Sequence, residues 1–280
     1  MDTDLYKPSK LKEICEECGL RPSKSYGQNY LVSPHPIEKM VEAGELDKND
    51  IVIEVGPGFG VLTFAIAPLA KRVIAFEIEK KLEKYWEEKQ KENKNIEIIW
   101  GNVLKKLPIF LKENKIEEYK VMANLPYQIT SHILRTFFEL ENKPKSITIM
   151  VQKEVGQRIL AKRGNMNLLA LSVQFFGDPR IVAKVASGSF WPKPKVDSAV
   201  LHITNIGEVE NVDEFFRLAK AGFASKRKQL WRNLSNTIDL PRERIKEILK
   251  DLTGTEKVRA QDLSLGEWKV LVEKMKNFVK

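Results

Sequence analysis

The run Ile51–Gly60, IVIEVGPGFG, constrains this chain more than any other feature. A five-residue buried-strand pattern turns through three glycines and leads straight into VLTFAIAPLA (61–70), an apolar segment of helical length. Strand, glycine turn and helix in succession open a βα unit, in which the bare backbone of the turn can approach a ligand closely. The alternation continues. RVIAFEI (72–78) reads as a second strand, KLEKYWEEKQKE (81–92) as a charged helix, IEIIW (96–100) as a third strand and YKVMANLPY (119–127) as a fourth. This order predicts a parallel, doubly wound α/β sheet.

Beyond a helix at SHILRTFFEL (131–140), the strand candidates are SITIMVQ (146–152), IVAKVA (181–186) and VDSAVLHIT (196–204), with a helix at EVGQRILAKR (154–163). Little helix separates the last two strands, so a closing antiparallel hairpin is expected. From about residue 210 the patterns are helical throughout: 212–236, 241–252 and 263–279. With 280 residues and 42% hydrophobic content the chain can bury one substantial core and still form a smaller domain. The expected division is 1–205, a mostly parallel seven-stranded α/β domain, and 206–280, a small all-α domain.

The net charge of +9 points to a polyanionic partner, which leaves nucleic acid and acidic membrane surfaces open. No run of about 18 apolar residues exists and the first residues do not resemble a signal peptide, so a cytoplasmic location is expected. Cys15 and Cys18 form a single CxxC, half a zinc site at most, and ordinary thiols are the simpler reading.

Three signals carry chemistry. The first, Glu54–Gly60 (EVGPGFG), taken alone, suits NAD, FAD or S-adenosylmethionine, and many such turns bind nothing. Glu77, at the end of the second strand, is placed to accept hydrogen bonds from both ribose hydroxyls of such a ligand, although a solvated surface glutamate would look the same. The third signal is Asn124-Leu125-Pro126-Tyr127 at the end of the fourth strand. An aromatic amine is a poor nucleophile because its lone pair is delocalised into the ring. The Asn124 side-chain oxygen and the Leu125 carbonyl can accept its two N–H bonds and draw that pair out, Pro126 stiffens the turn, and Tyr127 can stack on the base.

The NLPY tetrapeptide resembles that of amino-directed methyltransferases, and in this setting that of the RNA adenine N6 dimethyltransferases. KSYGQNYL (24–31), MVQKEVGQRI (150–159) and FWPKPKVDSAV (190–200) are similar to further motifs of that family, and the resemblance runs from about residue 20 to the C-terminus. It implies a Rossmann-like methyltransferase fold that uses S-adenosylmethionine, releases S-adenosylhomocysteine and needs no metal. Gln28, Asn29 and Leu31 would contact the cofactor, Gly56 and Gly58 its methionine end and Glu77 its ribose; Glu54, Ile78, Asn102, Val103 and Asn124 complete the implied cofactor set. Tyr127 and Phe190 would sandwich the target adenine, making Asn124, Leu125, Pro126, Tyr127 and Phe190 the catalytic group. Two departures stand out. Asn102 replaces the family's usual aspartate, an acceptor for the cofactor's adenine amine that asparagine can still provide through its amide oxygen. Tyr30 replaces the usual phenylalanine, which reads as a minor change.

Residues 143–195 hold ten Lys or Arg against only Glu154 and Asp178. Lys153, Arg158, Lys162, Arg163, Lys193 and Lys195 are the RNA contacts expected there. The stretch 222–234 reads as an amphipathic helix with Phe223, Leu230 and Leu234 on one face, and Lys226, Arg227, Lys228 and Arg232 are its expected RNA contacts. Membrane binding is the other use of such a helix. This stretch and the long helical C-terminus look more like the small-subunit (KsgA-type) enzymes than the Erm-type enzymes of the large subunit. The expected activity is therefore dimethylation of two adjacent adenines in the 3′-terminal hairpin of small-subunit rRNA during subunit biogenesis, by a monomer. Erm-type activity and a mainly non-catalytic assembly role are the alternatives; a DNA substrate is disfavoured because no DNA target-recognition domain is visible.

Overall fold

Near-continuous apolar runs such as Ile51–Val55, interrupted by Glu54, suit strands covered on both faces, and they form the centre of the sheet. The computed structural model describes residues 3–22 and 28–278. The strands are β1 (Tyr30–Leu31), β2 (Ile51–Val55), β3 (Arg72–Glu77), β4 (Ile96–Trp100), β5 (Lys120–Asn124), β6 (Ser146–Gln152), β7 (Asp178–Val185), β8 (Phe190–Trp191) and β9 (Ser198–Thr204). Seven of them form one sheet in the order β4-β3-β2-β5-β6-β9-β7. β4, β3, β2, β5 and β6 run parallel, and β9 enters antiparallel beside β6, with Gln152 opposite Ser198. The expected mostly parallel seven-stranded sheet is the one found. The helix His35–Gly44 packs on β5, β6 and β9, and its Gly44 gives Met122 room: a Cβ there would sit 3.1 Å from the sulfur.

A second, two-stranded ribbon was not anticipated. β1 pairs antiparallel with β8, Tyr30 opposite Trp191 and Leu31 opposite Phe190, which ties the N-terminal segment to the FWPKPK segment.

The chain divides into two compact units. One runs through Gly156 and takes in Pro179–Ile206; the other joins Gln157–Asp178 to Gly207 and beyond. The boundary near 206 is thus present, but residues 157–178, expected in the α/β domain, cluster with the C-terminal helices. Their helix Leu168–Gln174, absent from the sequence-based expectation, begins where the Asn167 side chain accepts the Ala170 N–H at 3.0 Å. In the same unit Phe175 stacks on Phe215 at 3.9 Å and Phe176 on Phe216 at 5.8 Å, around a core that includes the fully buried Trp268.

Three helices are shorter than their hydrophobic patterns suggest. In 61–70 only Thr63–Ile66 is regular α-helix; Pro68 has no N–H to continue the ladder, and both Leu69 and Ala70 donate to Ile66. The helix expected over 154–163 spans Lys153–Ile159, because Gln174 donates to the carbonyls of Ile159 and Ala161 and Asn167 to that of Arg158.

The third case corrects the amphipathic helix over 222–234. Helix Val212–Gly222 stops, residues 223–228 are turn and bend, and a short helix Leu230–Leu234 follows after Gln229. Asn233 donates to the Gly222 carbonyl at 2.6 Å and to that of Ser225 at 3.1 Å, which holds the break open. Gly222 also admits Trp268, whose ring would lie 2.5 Å from an added Cβ. Leu230 and Leu234 are buried, whereas Lys226, Arg227 and Lys228 sit on the exposed turn.

Candidate active site

In a parallel sheet every strand delivers its carboxyl end to the same edge. β2 ends at Val55 opposite Phe76, β3 at Glu77 opposite Trp100, and β5 at Asn124 opposite Met150. One cavity of about 230 Å³ opens along that edge, bordered by Gly56 and Gly58 after β2, Glu77 and Ile78 after β3, Asn102 and Val103 after β4, and Asn124–Tyr127 after β5. Gln28, Asn29, Leu31, Glu54 and Phe190 line it too. Every residue expected to be catalytic or to bind the cofactor therefore borders a single cavity. Of the expected motif KSYGQNYL, residues 24–27 lie outside the described residues.

The glycine turn is held from beneath. Trp86, fully buried, donates its indole N–H to the Gly58 carbonyl at 3.0 Å, and the Tyr85 hydroxyl donates to that of Phe59 at 2.8 Å. Gly56 has φ +68°, and a Cβ there would meet no protein atom within 4 Å. It presents open backbone on the cavity rim.

Glu77 is 5% exposed, and its carboxylate accepts three backbone N–H groups: Gly58 at 3.1 Å, and Ile78 and Glu79 at 2.8 Å each. Burial raises its pKa, and these bonds partly oppose the rise. Glu54 is 1% exposed, and its Oε2 has no hydrogen-bond partner among the described residues. Burial, reinforced by Glu77, pushes its carboxyl up to about 8 against an opposing contribution from Thr63.

A titration follows from Glu54. Below pH 4.5, its ordinary value, the group is protonated folded or unfolded; from there to about pH 8 the unfolded chain loses the proton and the folded chain keeps it. Stability therefore falls as pH rises through that window and the dependence ends above it. Thermal melts of ligand-free Glu54→Gln should show the variant gaining on the parent between pH 5 and pH 9. A constant difference across that range would mean that the folded Glu54 ionises normally.

Asn124 donates its amide nitrogen to the Asn29 carbonyl at 3.4 Å, which leaves Oδ1 as an acceptor without a partner among the described residues. Tyr127 follows in a single 3₁₀ turn, Tyr127–Ile129, and its hydroxyl shares a hydrogen bond with Ser198 Oγ at 2.7 Å. Phe190 is buried on β8. Asn102 departs from its expected part: its Oδ1 accepts the Leu104 N–H at 2.9 Å and caps helix Val103–Glu113. The amide nitrogen, a donor, is the head left for a ligand, and the oxygen keeps only its second lone pair.

The family model described as ribosomal RNA adenine dimethylase matches residues 19–276. The chain belongs to this family. A ribosomal RNA small subunit methyltransferase A from Dehalococcoides mccartyi is 41% identical over 267 residues, covering 94% of this chain and 91% of the relative. A protein of the same name from Bacillus licheniformis is 35% identical over 289 residues and 99% of both chains. A dimethyladenosine transferase crystal structure from Plasmodium falciparum superposes with a TM-score of 0.74 at 25% identity, covering 88% of this chain and 97% of that one. The 23S rRNA methyltransferase ErmE, at 24% identity and a TM-score of 0.71 over 89% of this chain and all of its own, shares the fold.

Enzymes of the ribosomal RNA adenine dimethylase family take their methyl group from S-adenosylmethionine, and the cavity fits that molecule. Gly56 opens bare backbone onto it, Glu77 offers a carboxylate at a strand end, and Glu54 holds an unpartnered buried oxygen. Ile78, 51% exposed on the rim, offers apolar surface for a base.

The expected RNA contacts fall on both units. Lys153, Lys193 and Lys195 belong to the α/β unit; Arg158, Lys162, Arg163, Lys226, Arg227, Lys228 and Arg232 belong to the helical one. Arg163 is tied down, bridging to Glu267 at 3.1 Å and donating to the Asp262 carbonyl. The other nine make no ion pair among the described residues. Arg232 and Lys246 lie over the Trp231 ring at 5.0 and 4.7 Å, an arrangement not foreseen from sequence. Cys15 is buried with its thiol pushed up to about 11, and burial raises Cys18 as well, so both stay protonated at neutral pH. No helix among the described residues is long and apolar enough to cross a membrane.

Proposed function

We propose that this chain dimethylates N6 of two adjacent adenines in the 3′-terminal hairpin of small-subunit rRNA, as a cytoplasmic monomer acting during subunit biogenesis. The observation that carries the reading is Asn124: a strand-end amide, turned by its bond to the Asn29 carbonyl so that Oδ1 is left as an acceptor, on the cavity that also holds Glu77. The small-subunit target is supported by the name shared by relatives 35–41% identical over nearly their whole length.

S-adenosylmethionine, when bound, supplies a methyl group on a sulfonium leaving group. Asn124 Oδ1 and the Leu125 carbonyl accept the two N–H bonds of the target amine and draw its lone pair out of conjugation. Tyr127 and Phe190 stack on the extruded base, a contact worth about 1–3 kcal/mol per base, which offsets part of the unstacking. Glu77 would hold the ribose and the glycine turn the methionine end. Most of the acceleration would come from holding the target amine in position against the donor's methyl group. The cations without an ion pair among the described residues, Lys193 and Lys195 beside Phe190 in the chain among them, position the RNA through its phosphates.

The test is transfer of labelled methyl to unmethylated small subunits and, in parallel, to protein-free large-subunit RNA and to DNA. Dimethyladenosine confined to the small-subunit hairpin is the expected result. Label in large-subunit RNA would make the enzyme Erm-type, label in DNA would change the substrate class, and subunit binding without label would make it an assembly factor.

A further inference from the structure

Tyr30 carries a hydroxyl that the fold buries and leaves without a partner among the described residues. The residue is 8% exposed, and no described group hydrogen-bonds its Oη. The ring is held by its neighbours. It packs on Phe59 at 4.5 Å and lies 6.4 Å from Trp191, its backbone is registered against Trp191 in the β1–β8 ribbon, and its Cε1 would stand 3.1 Å from a Cβ at Gly58. Yet Tyr30 lines the same cavity as Gly56, Gly58 and Glu77.

A buried hydroxyl without a partner forfeits its hydration, and native structures seldom leave one so unless something else completes it. The surroundings narrow what that can be. Burial first, then the nearby Cys15, Glu77 and Glu79, hold the phenol far above its ordinary range, so it stays a neutral donor. Those carboxylates repel an anion such as an amino-acid carboxylate and favour a neutral oxygen. The ring edge covers Gly58, whose N–H is bonded to Glu77, the residue at the ribose end.

We infer that Tyr30 is a positioning residue for the methyl donor, its hydroxyl donating a hydrogen bond to the cofactor's ribose beside Glu77. This rests on reading the cavity as the S-adenosylmethionine site. Tyr30→Phe keeps the packing and removes only the donor, so the full-length variant isolates the contact.

Calorimetric titration with S-adenosylhomocysteine and with 5′-methylthioadenosine, which keeps the ribose but lacks the amino-acid group, provides the test. Tyr30→Phe should bind both about tenfold more weakly, the worth of one hydrogen bond of about 1.4 kcal/mol. Its ligand-free melting temperature should equal or exceed the parent's, because an unpartnered hydroxyl has been removed. Unchanged affinity for both ligands, a loss confined to S-adenosylhomocysteine, or a fall in ligand-free melting temperature would each overturn the inference. Failure of the parent protein to bind either ligand would instead overturn the cofactor reading beneath it.

Discussion

Asn124→Ala is expected to lower the single-turnover rate of methyl transfer by roughly 10²- to 10³-fold, the cost of removing one preorganised acceptor from a charge-developing site. Folding should survive, since among the described residues the only side-chain bond lost is the 3.4 Å contact to the Asn29 carbonyl, and the Cα position is held by pairing of β5 with β6. Affinity for unmethylated small subunits should be unchanged, and cofactor affinity should fall far less than the rate. Rapid-quench transfer assays with a parallel binding titration separate these quantities. A rate within tenfold of the parent would mean that the amine is not held by Asn124, and loss of subunit binding together with transfer would argue against an independent assembly role.

Glu77→Ala carries the second large effect, and it has two parts. Its carboxylate is the shared acceptor of the Gly58, Ile78 and Glu79 N–H groups, so truncation leaves three donors at the head of the cavity unpaired. The expected cost is roughly 2–4 kcal/mol, less than three separate bonds because water enters the vacated space. In a domain of this size that lowers the melting temperature by about 5–15 °C. The ribose acceptor disappears as well, so saturating S-adenosylhomocysteine, which should raise the parent's melting temperature, should raise the variant's little or not at all. An undiminished ligand-induced shift would place the ribose elsewhere.

Both residues were identifiable from sequence for the same physical reason. A buried parallel strand is written as a short apolar run, and the residue ending it falls on the ligand edge of the sheet, so Glu77 after RVIAF and Asn124 after KVMA were located once the strands were. β4 and β6 were read to the residue. The glycine turn was clear too, although the four-residue helix behind it was not, because hydrophobic periodicity does not register the N–H missing at Pro68.

Features that depend on distant partners were not readable. The break at 223–229 is held by Asn233 and by the approach of Trp268 to Gly222, neither visible in the local pattern. The β1–β8 ribbon is only two residues wide, too short for any alternation to declare it. The helix cap that occupies one lone pair of the Asn102 oxygen is likewise not written in the local pattern. Tyr30 looked like a phenylalanine with an incidental hydroxyl, since an unpartnered group is recognised only when its surroundings are known.

The chain passes from the α/β unit into the helical one after Gly156, returns at Pro179, and leaves again after Ile206. The helical unit therefore cannot be removed by a single cut. A chain ended at residue 206 keeps Phe175 and Phe176 but strips away the Phe215 and Phe216 rings they stack on, exposing a sticky aromatic face. A fragment begun at 207 lacks the other half of that stack. Such threading makes the helical unit a poor module for exchange: a gene fusion or a premature stop at the obvious boundary damages both halves, so the two units must be inherited together.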